Sequence, residues 1–205
     1  THTYLAGLLS DVERKNAESI AYRYDFDRQV IQRFIGEVDW DHEPLIDELV
    51  HQVTTTIGQA DAVLVFDPSA FAKKGIASVG VKRQWCGRLG KVENCQVGVF
   101  LGYVTEAEHA LVDFRLYLPR DWVNDKKRRK KAGVPKDVRY KTRHELALEM
   151  LARHGSVLPH GWVAGDDEMG RSSSFRRELQ GLGERYLLAC RRTHWPATST
   201  FRRRN

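Results

Sequence analysis

The chain has 205 residues, 41% hydrophobic and 29% charged, with a formal net charge of +6. This is enough apolar content to bury a core for one domain with a smaller helical appendage. No apolar run reaches the roughly 18 residues of a membrane-spanning helix, and the N-terminus lacks the charged, apolar and small-residue order of a secretory signal, so a cytosolic protein with no membrane partner is expected.

The total charge hides an asymmetry. Residues 1–60 carry 11 acidic against 5 basic side chains, whereas residues 61–205 carry 16 against 28. A basic second part fits a polyanionic partner, because Lys and Arg that neutralise phosphates release condensed counterions; an ordinary solvated surface is the alternative. Cys86, Cys95 and Cys190 are odd in number and form no CxxC pair. They read as free thiols, with Cys95 a small core residue.

From Tyr4 to about Ile57 the apolar residues recur at helical spacing and predict about three helices. The last of these aligns Leu45, Ile46, Leu49, Val50, Val53 and Ile57, with Asp41 as cap and Gly58 as stop. Residues 1–60 form the expected N-terminal helical segment, for which a helical packing module is one reading. Between Asp61 and Leu118 the runs AVLVFD, SVGVKRQW, CQVGVFLGYV and ALVDFRLYL read as strands of one sheet. CQVGVFLGYV is apolar on both faces, as a central strand is, while ALVDFRLYL alternates like a strand exposed on one side.

Lys126, Lys127, Arg128, Arg129, Lys130 and Lys131 follow as six consecutive cations. Such a run is either a charged surface loop or a contact to the DNA backbone. Thr142 and Glu145 then form a capping box before Leu146, Met150 and Leu151, with Gly155 as stop. WVAGD reads as a short strand, Ser172–Ser174 cap a helix holding Phe175, Leu179 and Leu182, and RYLLAC reads as a buried strand. The element order suits an α/β fold with a mixed sheet, although several α/β folds share it.

Asp67 closes AVLVFD and Asp166 closes WVAGD. An aspartate after a strand commonly starts a turn, but two carboxylates at strand ends also make rigidly placed ligands for a hard cation. The segments FDPSAF, KKG, RQWCGRLGKVENCQVGVFLGY, ALVDFRLYLP, RHELALEML and LPHGWVAGDDEMG, with YLAGLLSDVERKN near the start, resemble transposases of bacterial insertion sequences in the DDE superfamily. The resemblance extends over nearly all of residues 4–189.

It implies a ribonuclease H-like sheet, present in part over residues 61–190, with Asp67 and Asp166 as the first and second catalytic, metal-ligating aspartates. Asp167 is the less favoured neighbour. It also implies Mg²⁺, with Mn²⁺ able to substitute, and DNA partners in the form of transposon ends and target. A homo-oligomer when intact and a bacterial, nucleoid-associated location complete the expectation. Lys73, Lys74, Arg83, Arg88 and Lys91 join residues 126–131 as candidate DNA contacts, each with a solvated surface as its alternative. Gln84, Trp85, Asn94 and Gln96 belong to the recognisable block without an assigned role.

The chain departs from the family pattern in its third ligand, a Glu on a helix well beyond the second aspartate. Glu168, Glu178 and Glu184 are too close to Asp166 to match it, so no residue here is assigned that role. Residues 191–205 carry five Arg and no acid in an unpatterned string. The expectation is a tail out of frame after a one-nucleotide shift near the Cys190 codon, giving a truncated copy whose catalysis is disabled; Thr1 in place of Met suggests an incomplete start. A noncatalytic DNA-binding remnant that occupies element ends or inhibits an intact transposase is the alternative.

Overall fold

A computed structural model describes residues 2–38 and 41–190; the expected out-of-frame tail lies outside the described residues. The chain divides into two compact units, Thr1–Pro44 and Leu45–Asn205. In the first, α1 (His2–Leu9), α2 (Ala17–Arg23) and α3 (Arg28–Gly36) follow one another. Asn16 caps α2 by accepting from the Ser19 amide, and Asp27 caps α3 by accepting from the Gln29 amide. Ile20, Ala21 and Ile31 make a small core with Tyr4 and Ala17 against it.

The second unit begins within α4 (Glu43–Ile57). Sequence grouping put this helix with the N-terminal segment, yet its Ile46, Val50 and Val53 are buried in the core of the sheet unit. Asp41 accepts from the Glu43 amide at 3.0 Å, as a cap does.

The strands are β1 (Val63–Ala72), β2 (Lys82–Cys86), β3 (Lys91–Val104), β4 (His109–Leu116), β5 (Trp162–Gly165) and β6 (Tyr186–Leu188). They pair in the order β2-β3-β1-β5-β6, with β4 also on β3. β3 is long enough to hold β2 along its first half and β4 along its second. The β1–β3 and β3–β4 pairs are antiparallel, and β5 and β6 run parallel to β1. A meander of three antiparallel strands continued by two parallel ones is a ribonuclease H-like mixed sheet.

The helices connecting these strands are α5 (Arg120–Asn124), α6 (Lys126–Lys131), α7 (Arg143–His154), α8 (Asp167–Gly170) and α9 (Ser173–Gly181). The capping box is present at α7, where Thr142 accepts from the Glu145 amide and Glu145 accepts from the Thr142 amide. Ser172 caps α9.

One sheet face carries Leu64, Phe66, Val99, Leu101, Tyr103 and Val163, which pack with Ile46 and Val50 of α4, Ala147 and Met150 of α7, and Phe175 and Leu179 of α9. Each such side chain removed from water contributes about 1.5–3 kcal/mol. On the other face Phe71, Phe100 and Phe114 form a ring-to-ring row with centroids 5.9 and 6.1 Å apart. Phe71 and Phe114 are exposed. β6, expected as a buried strand, is an edge strand whose Leu187 is 74% exposed, because no strand or helix covers its outward side among the described residues.

Only Lys82–Trp85 of the run SVGVKRQW is strand, as the first four residues of β2. Gly80, at φ +80°, turns the chain where a Cβ would stand 2.9 Å from the Tyr117 carbonyl oxygen, and this turn ends any extended run before Lys82. Residues 126–131 form a helix rather than a loop.

Candidate active site

Alternation along β1 places Phe66 in the core and Asp67 on the open face, opposite Phe100 of β3. The Asp67 Oδ2 accepts from the Ser69 hydroxyl at 2.6 Å. Ser69 is two residues on, which on a strand means the same face, so the period of the strand was the signal that could have picked it out.

The parallel pairing of β1 and β5 ends at Phe66 opposite Gly165. Asp67 is the next residue of β1, and Asp166 follows the last residue of β5. Asp166 is exposed and caps α8, its Oδ1 accepting from the Met169 amide at 3.0 Å. The cap uses one of the two carboxylate oxygens, Oδ1. Gly170 at the end of α8 allows its close approach to β6, since a Cβ there would stand 1.9 Å from the Ala189 carbonyl oxygen.

The two aspartates border different hollows. Asp166 lines a cleft of about 300 Å³ with Asp167, Glu168, Arg143, Arg171 and Trp85. Asp67 lines a shallower recess of about 410 Å³ on the open face, with Val65, Ser69, Phe71 and Phe100. In the cleft, Arg143 ion-pairs with Glu168 and Arg171 with Asp167. Arg143 also donates to the Gln84 side-chain oxygen at 3.3 Å and lies 4.9 Å over the Tyr117 ring. Nothing in the sequence marked Arg143 beyond its place directly after the capping threonine.

Glu184 accepts from or faces the His160 Nε2 at 3.1 Å, and Glu178 is exposed on α9. Among the described residues no group of three or more His, Cys, Asp or Glu is arranged to hold a metal ion. Asp67 and Asp166 supply hard oxygen donors, and one or two carboxylates completed by water and phosphate suit Mg²⁺. Each carboxylate is of the donor type a divalent cation takes, but the two side chains line different hollows.

Lys73, Lys74, Arg83, Arg88 and Lys91 are all exposed around the β1–β2 connection and the β2–β3 hairpin. The Asn94 amide, and then Lys91 paired with Glu93 at 3.2 Å, hold the Glu93 carboxyl below its usual value. The neighbouring polar residues have structural partners. The Asn94 side chain donates to the Lys73 and Gly75 carbonyls at 2.6 and 2.9 Å, Gln84 donates to the Cys95 carbonyl at 3.0 Å, and Gln96 to the Val79 carbonyl at 2.5 Å. These bonds shape the loop that carries Lys73 and Lys74. Cys86 and Cys95 are buried with Val97 below it, and burial pushes the Cys95 thiol up; Cys190 is free and exposed.

In the basic run, Lys126, Lys127, Lys130 and Lys131 are exposed, whereas Arg128 and Arg129 are half-buried. No helix among the described residues is long and apolar enough to cross a membrane.

Residues 1–198 match the profile of the DDE superfamily endonucleases. The chain is 28% identical over 192 residues to the probable transposase for insertion sequence element IS701 of Microchaete diplosiphon, a match that takes in 92% of this chain and 48% of that protein. It thus spans about half the length of this curated relative. Among solved structures, the Mos1 transposase paired-end complex with left transposon end is similar at TM-score 0.31 and 11% identity, over 91% of this chain and 58% of that one. The NurA nuclease from Sulfolobus solfataricus is similar at TM-score 0.27 and 10% identity, over 77% and 48%. With a family profile matched across nearly its whole length, the chain belongs to the DDE superfamily endonucleases.

Proposed function

We propose that this chain carries the two-aspartate part of a transposase site that cuts DNA at the ends of an insertion sequence and joins them to a target. The observation that carries the reading is the family match over residues 1–198, and it is supported by the parallel pairing of β1 with β5, which ends one residue before Asp67 and Asp166. Mg²⁺, or Mn²⁺ in its place, supplies charge stabilisation for the attacking and leaving oxygens of an in-line phosphoryl transfer when bound. Asp67, positioned by the Ser69 hydroxyl, and Asp166, fixed by its cap on α8, are the residues that would hold it. Transposon ends and target DNA are the proposed partners, and a homo-oligomer is the proposed working state.

A second reading is DNA binding without cleavage. It is favoured by the pairing of Asp167 and Glu168, the acids nearest Asp166 in sequence, with Arg171 and Arg143, which occupies them away from a metal. Nicking and strand transfer on DNA bearing the element's ends, with Mg²⁺ or Mn²⁺, tests both. Activity lost in Asp166→Asn supports the first reading. Retained DNA binding with no cleavage by either protein supports the second, and cleavage unaffected by the substitution removes Asp166 from the site.

A further inference from the structure

The six cations of residues 126–131 divide by helical geometry into two sets with different partners. With about 3.6 residues per turn, Lys126 and Lys130, and Lys127 and Lys131, are i,i+4 neighbours on one side of α6, while Arg128 and Arg129 fall on the other. The Arg128 guanidinium lies 3.6 Å over the Trp122 ring and donates to the Ile76 and Val81 carbonyls at 2.7 and 3.3 Å. Arg129 donates to the Pro135 and Val138 carbonyls at 2.6 and 2.9 Å. Trp122 is itself buried and donates from Nε1 to the Val81 carbonyl at 2.8 Å. Asp125 accepts from the Arg128 amide and caps the helix.

These bonds hold a six-residue helix that would not persist alone. The four lysines have no hydrogen-bond or ion-pair partner among the described residues and are exposed. Like charges at i,i+4 destabilise a helix. Two arginines anchored on carbonyls and one aromatic ring therefore maintain a face of unopposed ammonium groups, which is the complement of a row of phosphates rather than of a neutral ligand.

We propose that Lys126, Lys127, Lys130 and Lys131 form a preassembled seat for the phosphate backbone of duplex DNA, with Arg128 and Arg129 as positioning residues that do not contact it. The proposal rests on the reading that the chain acts on DNA and assigns the contact to one helix face. Because Arg128 ties α6 to the Ile76 and Val81 carbonyls, this seat is fixed to the connection between β1, the strand of Asp67, and β2.

The test is the salt dependence of binding of the full chain to a short duplex of mixed sequence, in EDTA so that metal ligation plays no part. Each neutralised phosphate contributes about −0.9 to the slope of log K against log salt. The variant K126Q/K127Q/K130Q/K131Q is expected to flatten that slope by about 2 to 4 units with its thermal midpoint unchanged. Single K127Q and K130Q variants, each expected to remove about one unit, carry the test should the quadruple variant fail to fold. An unchanged slope, absence of duplex binding by the unsubstituted chain, or an effect confined to single-stranded DNA overturns the proposal. Asp67→Asn run alongside is expected to retain the full slope, so a failure of the metal-site reading, seen as cleavage independent of Asp67, is separable from a failure of the lysine seat.

Discussion

Phe66 of β1 stands opposite Gly165 of β5 in a parallel pair, and Asp67 and Asp166, ninety-nine positions apart, each follow one residue after this pair. Their side chains nonetheless border different hollows, Asp67 beside Val65, Ser69 and Phe71, and Asp166 beside Pro68 and Ala70 on the alternate face of β1.

The two aspartates are expected to respond differently to substitution. Asp67 is exposed and accepts from the Ser69 hydroxyl, so Asp67→Asn should leave the thermal midpoint unchanged while weakening Mn²⁺ binding measured by calorimetry. Asp166 also caps α8. Asp166→Ala should cost about 1 kcal/mol of stability, whereas Asp166→Asn, which still caps, should cost little; both should weaken the metal. Equal Mn²⁺ affinity in all four proteins would remove both residues from a metal site.

Asp113 and His154 form a buried pair between β4 and α7, with the imidazole Nε2 2.8 Å from Asp113 Oδ2. The register shift between Leu101 and Gly102 brings both Val112 and Asp113 inward, as a bulge does by breaking alternation. Arg115 and the Phe114 amide occupy the other oxygen at 2.6 Å. His154→Leu removes one partner of a buried carboxylate and is expected to cost about 3 kcal/mol in urea unfolding. A loss below that of an average surface substitution would show that the pair is dispensable.

Arg128 is expected to matter for stability. Arg128→Gln loses the stack on Trp122 and the two carbonyl contacts, a loss of about 2 kcal/mol. Lys127→Gln, one residue earlier and exposed, should leave the midpoint where it is. Thermal unfolding of the two variants side by side is the check, and equal midpoints would contradict the inward role of Arg128.

Tyr117 and Tyr140 should titrate apart. Burial, and then the hydrogen bond with Tyr140, push Tyr117 up to about 12, while the hydrogen bond with Tyr117, followed by Arg120, holds Tyr140 below its ordinary value. The Tyr117 contribution to stability is complete below about pH 10, the unfolded value, and is lost as pH rises through about 12. The Tyr140 contribution has the opposite sign, present above about pH 10 and lost as pH falls through its lower folded value. Ultraviolet titration should therefore show one phenolate forming early and one late, with Tyr140→Phe bringing Tyr117 back toward its ordinary range. A single transition for both hydroxyls would refute the pairing.

Local chemistry was legible in the order of residues wherever a few neighbours suffice. The Thr142–Glu145 box, the Ser172 and Asp41 caps, the strand at AVLVFD and the apolar centre of β3 depend on contacts within a turn or a strand period, and the structure contains each of them. Tertiary structure alone decided the rest. α4 belongs with the sheet because its Ile46, Val50 and Val53 complete a core formed mainly by residues after position 60. The bulge that buries Asp113 needs His154 to receive it. Six like charges in a row carry no local instruction to divide; the carbonyls of Ile76, Val81, Pro135 and Val138 draw Arg128 and Arg129 inward and leave the lysines to the solvent. Pairings between residues tens of positions apart cannot be read from local pattern, since each is chosen by the packing and hydrogen bonding of the whole fold.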